Sequence, residues 1–358
     1  MSLYCTADRV GLANHGGGSV TANEAAALGE LDRTVVFDAG VLQCGGEDPW
    51  KWDLTARAGV DALANGSSAD GTIHAGEYPK LAHFYAGTFT ETVRRLKEKG
   101  CKVSYTAAAH SVEVSRREHE KVGIPYNYPH LTEPEQLKRY LGGYLEADVL
   151  ICPSTHSATV MRGFGAKNRI EVIPHGVELP TEIKPLPERF IVGYLGCASA
   201  PDKGLVYLLQ AWQKLDLKDG WLVIAGHDSQ SPYVQQLVRV LGGGNVELRG
   251  WVENPSDFYN DISLYVQPSA SEGFGLEVLE AFAHSRPVLC SKGAGASDLA
   301  PWTVPACDAD AMAYRIRDFY KQGSALALMG QQCRKIAESH TWPIIREWYK
   351  QMWRSLLP

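Results

Sequence analysis

The stretch Gln267–Ser291, QPSASEGFGLEVLEAFAHSRPVLCS, decides the reading of this chain. One carboxylate, Glu272, stands just before a glycine-flanked turn, and a second, Glu280, follows eight residues later. Leu276–Ala283 is free of Pro and Gly and puts Leu276, Leu279 and Ala283 on one stripe, so the spacing predicts a helix there. Its N-terminus is then built from Gly273, Phe274 and Gly275, and Glu280 projects from its first turns. Uncommitted N–H groups and the positive end of the helix dipole bind phosphate at such a start. Glycine there lets the backbone approach a ligand closely. The chemistry this suits is a sugar diphosphate whose hydroxyls need carboxylate acceptors.

Working outward, strand-like Leu264–Val266 runs into Pro268-Ser269 ahead of the glycines, and Pro287-Val288 and Gly293-Ala294-Gly295 follow the helix before Asp298. Further blocks lie upstream: Val172–Glu178 (VIPHGVE), Ile191–Gly196, Pro201–Gly204 (PDKG) and Leu222–Gly226 (LVIAG). In this order the segments resemble the E-x7-E signature region of the retaining family-4 glycosyltransferases, densely from about Asp148 onward and thinly before it. The resemblance implies a GT-B fold, an α/β architecture of two doubly wound, Rossmann-like domains facing across a cleft. It implies transfer of a sugar from a nucleoside-diphosphate sugar to a hydroxyl acceptor with retention and without a metal cofactor. A phosphorylase of the same fold and a non-catalytic sugar-nucleotide-binding subunit remain as other readings.

Composition bounds the possibilities independently. The 358 residues favour two domains of ordinary size, and 45% hydrophobic with 21% charged residues is the profile of a globular protein. A net charge of −6 speaks against nucleic acid and against an anionic membrane as the main partner. Peripheral membrane contact stays open, and no apolar run reaches the ~18–20 residues that span a bilayer. The opening MSLYCTADRV lacks a basic and then apolar leader, so a cytoplasmic setting is expected. Eight cysteines are spread singly with no CxxC pair, which fits a reducing compartment and argues against a zinc site.

Short apolar runs at Val35–Phe37, Val103–Thr106 and Val149–Cys152 alternate with helical stretches such as Ser19–Leu31 and Phe84–Lys99, predicting a parallel sheet. Leu42–Gly76 shows no assignable pattern. The proline-rich Glu178–Arg189 reads as a linker. The chain thus divides into a first domain at 1–178, the linker at 179–189, a nucleotide-sugar domain at 190–338 and a terminal helix at 339–358. After the linker the alternation restarts with strand Phe190–Leu195, helix Leu205–Leu215, strand Trp221–Ala225 and helix Pro232–Leu241. In the last segment Ile345, Trp348, Tyr349, Met352 and Trp353 recur at helical spacing, and the resemblance implies that this helix crosses back onto the first domain.

Several residues carry candidate chemistry. Lys203 lies between a strand and a helix, facing the carboxyl ends of the strands, where open sheets bind ligands. The resemblance gives it the leaving diphosphate, together with an Arg a few residues earlier. Here those positions are Cys197, Ala198, Ser199 and Ala200, and no Arg is among them. Gly16, Gly17 and Gly18 read as a loop opening a helix at Ser19, either a donor-phosphate loop or a plain turn. His110, after the run Val103–Ala109, is either a donor-sugar contact or a structural His, with His83 a weaker second candidate. The resemblance assigns Glu280 to the ribose, Glu272 to the donor sugar, and the N–H groups of Phe274–Leu276 to the phosphate. It makes Trp251-Val252 a loop over the base, though Trp251 could equally be packing, and His175 a cleft-wall residue. Asp308-Ala309-Asp310 superficially matches a metal-binding DxD, but Asp308 reads as an N-cap.

Overall fold

Residues 1–6, 16–32, 34–37, 56, 78–85, 89–126 and 129–357 are described by the computed structural model, and they carry two six-stranded sheets. The first half builds strands β1 (Ser2–Thr6), β2 (Thr34–Phe37), β3 (Leu81–Tyr85), β4 (Lys102–Thr106), β5 (Val149–Cys152) and β6 (Arg169–Val172). Between them lie helices α1 (Gly16–Leu31), α2 (Thr90–Glu98), α3 (Val112–Val122), α4 (Pro129–Thr132), α5 (Pro134–Glu146) and α6 (Thr155–Gly163). All pairings are parallel and the order is β2-β1-β3-β4-β5-β6. Parallel strands covered on both faces are apolar at every position, as in the fully buried Val149–Cys152.

Residues 178–190 contain no helix or strand. The second half then runs β7 (Ile191–Leu195), α7 (Leu205–Leu215), β8 (Trp221–Ala225), α8 (Pro232–Leu241), β9 (Val246–Gly250), α9 (Pro255–Asn260), β10 (Leu264–Gln267), α10 (Leu276–Ala283), β11 (Val288–Ser291), β12 (Trp302–Val304), α11 (Ala309–Gln322) and α12 (Leu326–Glu338). Its sheet is parallel too, ordered β12-β11-β10-β7-β8-β9. Counted from β7, this is the dinucleotide-fold order, and its direction reverses between β7 and β10. Ligands bind such sheets at that crevice, outside the carboxyl ends of the strands.

The last helix, α13 (Trp342–Arg354), leaves the second half and packs on the first. Trp342, Ile345, Tyr349 and Trp353 join Tyr4, Leu28, Leu81 and Ile151 in one buried cluster. Beneath it Trp353 Nε1 donates to Ser104 Oγ at 2.9 Å, and Ser104 Oγ lies 2.8 Å from His83 Nδ1.

Three sequence expectations are corrected. The predicted helix over Phe84–Lys99 gives way to strand β3 at Leu81–Tyr85, and the helix begins only at Thr90. His83, a candidate for ligand contact, is fully buried in β3, with Nε2 3.2 Å from Glu24 Oε2. Gly16–Gly18 form the first turn of α1 rather than a loop before Ser19. Packing of Val20, Ala27 and Leu28 against the sheet and α13 overrides the poor helix propensity of glycine. The segment Leu42–Gly76 falls almost wholly outside the described residues.

Candidate active site

The loops after β7 and β10 flank the crevice of the second sheet. After β7 the chain makes a single 3-10 turn, Pro201–Lys203, which presents the Lys203 ammonium. The turn is anchored from β10's side, where Ala270 N donates to Asp202 O at 2.8 Å. After β10, Glu272 N donates to Gly293 O at 2.9 Å, fixing the start of the glycine turn. Gly275, at φ +96°, is the N-cap of α10, and a side chain would be strained there. Lys203 Nζ and Glu272 Oε2 form a direct ion pair. Burial alone would lower the Lys203 pKa, but Glu272 and Glu277 outweigh it and hold the ammonium above its usual value.

Glu280 lies one helical turn further on and accepts from Tyr259 OH at 2.7 Å. Burial raises its pKa, and the Tyr259 hydrogen bond opposes that rise. Glu277 shares the face. Burial pushes its pKa up, and the neighbouring carboxylates Glu272 and Glu280 add to the rise while Lys203 opposes it, leaving it at about 7. Glu277 and Glu280 line a cavity of about 580 Å³ together with Gly196, Trp251, His284 and, from the first half, Ser19 of α1. The same cavity is walled by Val252 and Leu276. Trp251 is 54% exposed.

The first half closes on this site from above. Ser111 N donates to Ser271 Oγ at 2.7 Å, and Ser115 Oγ donates to Asp202 Oδ2 at 2.7 Å. Gly273 O accepts from Ser154 Oγ at 2.7 Å and Ser157 Oγ at 3.0 Å, while Thr155 N and Oγ1 each reach Asp298 at 2.7 Å. A Cβ built on Gly273 would stand 2.4 Å from the Ala108 carbonyl oxygen. Gly273 is therefore a point where the backbones of the two halves come too close for a side chain. Phe274 is buried and meets His175 edge-on at 5.0 Å. His175 itself is buried, and that burial lowers its pKa to about 4, with Glu24 opposing.

Of the residues singled out by sequence, Lys203 and Glu272 meet directly, and Glu280, Leu276, Trp251 and Val252 share the cavity. His110 follows β4, which ends at Thr106, and lines a separate pocket of about 220 Å³ with Thr106, Tyr140, Tyr144 and Met161. Gly17 and Gly18 sit in the first turn of α1, whose next residue, Ser19, reaches the cavity. Asp308 caps α11 by accepting from Ala311 N at 2.9 Å. Sequence reasoning does not reach His156, at the start of α6, whose Nε2 lies 3.3 Å from Ser271 Oγ. Burial lowers its pKa, and His110, Asp298 and Glu272 all act on it electrostatically. The available signal was Ser154-Thr155-His156, a helix start directly after a buried strand.

Residues 189–322 match the family described as Glycosyl transferases group 1, so the second half is a domain of that type. The capsular polysaccharide biosynthesis glycosyltransferase CapM of Staphylococcus aureus is 29% identical over 166 residues, 44% of this chain. That match spans 43% of CapM, less than half of its length. The whole fold is similar to sucrose-phosphate synthase from Thermosynechococcus elongatus at TM-score 0.75 and 19% identity, covering 99% of this chain and 98% of that one. It is similar to Anabaena HepE, solved in complex with UDP, at TM-score 0.71 and 16% identity over 99% of both chains. The two facing α/β domains have the GT-B architecture. Among the described residues no helix is long and apolar enough to cross a membrane.

Proposed function

We propose that the chain is a retaining, family-4-type glycosyltransferase that moves a sugar from a nucleoside-diphosphate sugar to a hydroxyl acceptor without calling on a metal. The observation that carries this reading is the Lys203–Glu272 pair at the crevice of the second sheet, beside helix α10, whose Glu280 lines the cavity. Glu280 accepts from the ribose hydroxyls, and Trp251 and Val252 lie over the base. Glu272 accepts from the hydroxyls of the donor sugar, which releases Lys203 to the diphosphate. The N–H groups at the start of α10 add fixed donors where the leaving group gains charge, and such preorganised donors lower a barrier most.

The donor's bond from anomeric carbon to phosphate oxygen breaks while the acceptor oxygen bonds to the same face of that carbon. The departing phosphate oxygen takes the acceptor's proton. His110 keeps the donor-sugar contact that the resemblance gives it, and His156 interacts with it electrostatically. UDP, which HepE binds, is the first nucleotide to test. A thermal-shift panel of UDP-, GDP-, ADP- and TDP-sugars should raise the melting temperature with one base, because ligands that bind only the native state stabilise it. Proton NMR of the product should then show the donor's anomeric configuration. Product formed from a disaccharide and inorganic phosphate alone would replace this reading with a phosphorylase, and binding with no turnover would make the chain a sugar-nucleotide-binding subunit.

A further inference from the structure

We propose that Cys197, His227 and Asp228 form a binding site for a divalent cation of the zinc class on the wall of the interdomain cavity. Cys197 leaves the carboxyl end of β7, and His227-Asp228 leave that of its sheet neighbour β8. Cys197 Sγ lies 4.0 Å from His227 Nδ1, and that nitrogen lies 3.0 Å from Asp228 Oδ2. All three donor atoms fall within 4.8 Å of one another. Around a tetrahedral zinc, with Zn–S of about 2.3 Å and Zn–N of about 2.0–2.1 Å, donor atoms stand roughly 3.3–3.6 Å apart. Small side-chain rotations close that difference.

The donors sit on loops that are already tied together. Ala198 N donates to His227 O at 3.0 Å, Gly196 N donates to Ala225 O at 3.2 Å, and Ser199 Oγ holds Asp228 Oδ2 at 2.8 Å. Little ordering remains to be done when an ion arrives. Thiolate with imidazole and carboxylate is a zinc-type set, whereas magnesium and calcium take oxygen alone. His227 and Asp228 are 67% and 43% exposed at their side chains, so the ion has open access. Three protein ligands leave a fourth position for water or a ligand oxygen.

The site bears on the cavity electrostatically. Cys197 and His227 line the same space as Glu277 and Glu280, and Lys203 is already paired with Glu272. Binding exchanges the Cys197 thiol proton for a divalent ion, so the wall gains one net positive charge and one proton is released. This happens on the loop where the sequence carries no arginine. The ion is accessory to sugar transfer, and its binding is independent of the donor reading.

Chelator-treated protein is titrated with cobalt(II) alone, following the thiolate-to-cobalt charge-transfer band in the near ultraviolet. The band should saturate at one ion per chain, vanish on adding zinc(II), and be absent in Cys197→Ser. His227→Ala, at an exposed position that does not compromise folding, should weaken affinity by more than the roughly 10–100-fold that loss of an outer-shell partner costs. Cys307→Ser, which removes a thiol beside Glu118, should leave the band intact. A band that does not saturate, or that survives Cys197→Ser or is indifferent to His227→Ala, overturns the proposal.

Discussion

At the scale of single residues the site is an arrangement of charge. Among the described residues Lys203 forms its ion pair with Glu272, and Glu277 also acts on it electrostatically. Removing it leaves Glu272 facing Glu277 and withdraws the cation proposed for the departing phosphate. Lys203→Ala should therefore lower kcat/KM by about 3 kcal/mol, the upper end for charge-assisted interactions, while urea unfolding still shows a folded protein. Near-native kcat/KM would remove Lys203 from the chemistry. Glu277 makes a separate, pH-dependent prediction. It titrates at about 7 in the folded chain against 4.5 when unfolded. Between those values the native state holds more protons, so this group's destabilisation is absent at pH 4 and complete above pH 7. Glu277→Gln should melt at the same temperature as the parent near pH 4 and higher than it at pH 8. A constant difference across that range would show that Glu277 is not the titrating group. The sequence discloses Lys203, Glu272 and Glu280 because they recur in a patterned segment. It does not disclose Glu277, which occupies an ordinary helix position and acquires its character from burial, with Glu272 and Glu280 adding to the rise and Lys203, 74 positions upstream, opposing it.

At the scale of elements, legibility follows how locally each one is specified. In the second half Leu205–Leu215, Pro232–Leu241 and Leu276–Ala283 are helices over the very residues that periodicity and capping predict. Ser231 caps one of them through Val234 N, a signal contained in four residues. Leu81–Tyr85 is different. Its polar His83 breaks the apolar run, and its strand character depends on Ser104 and Glu24, which reach it from other elements. Nothing nearby in the sequence states those partners. Helix α13 is the element that closes this buried network, so its aromatic anchors should dominate the stability of the first half. Trp353 is fully buried and donates to Ser104 Oγ. Trp353→Ala should cost roughly 3–5 kcal/mol by urea denaturation. Trp353→Phe keeps most of the apolar volume and should cost nearer 1 kcal/mol, the ordinary net worth of one hydrogen bond. Equal losses in the two variants would mean that the ring's volume contributes nothing.

At the scale of the whole molecule, the two halves meet through short hydrogen bonds that converge on the glycine turn before α10. Ser111, Ser115, Ser154, Ser157 and Thr155 of the first half bind Ser271, Asp202, Gly273 and Asp298 of the second. One turn further along α3, Tyr207 OH donates to Glu118 Oε2 at 2.5 Å and accepts from Lys121 Nζ at 2.9 Å. The contact between the halves and the geometry of the glycine turn are thus coupled, because the carbonyl of Gly273 itself accepts from Ser154 and Ser157. The Gly273 Cα has no room for a methyl group on this side, and its obstacle is the backbone of Ala108, which cannot rotate away. Gly273→Ala should penalise the closed form by roughly 1–3 kcal/mol, the usual cost of overpacking. Sugar transfer in the closed cleft should fall about 5–150-fold in kcat/KM at that cost. Small-angle scattering should show a larger radius of gyration, with faster amide exchange over residues 271–276. Gly29→Ala is the matched control, since a methyl group there meets nothing within 4 Å on an exposed turn of α1. It should leave scattering and turnover unchanged and stabilise the helix by up to about 1 kcal/mol. If Gly273→Ala scattered and turned over like the parent, closure would not pass through this turn, and the two halves would have to be coupled through the Glu118–Tyr207 contact instead.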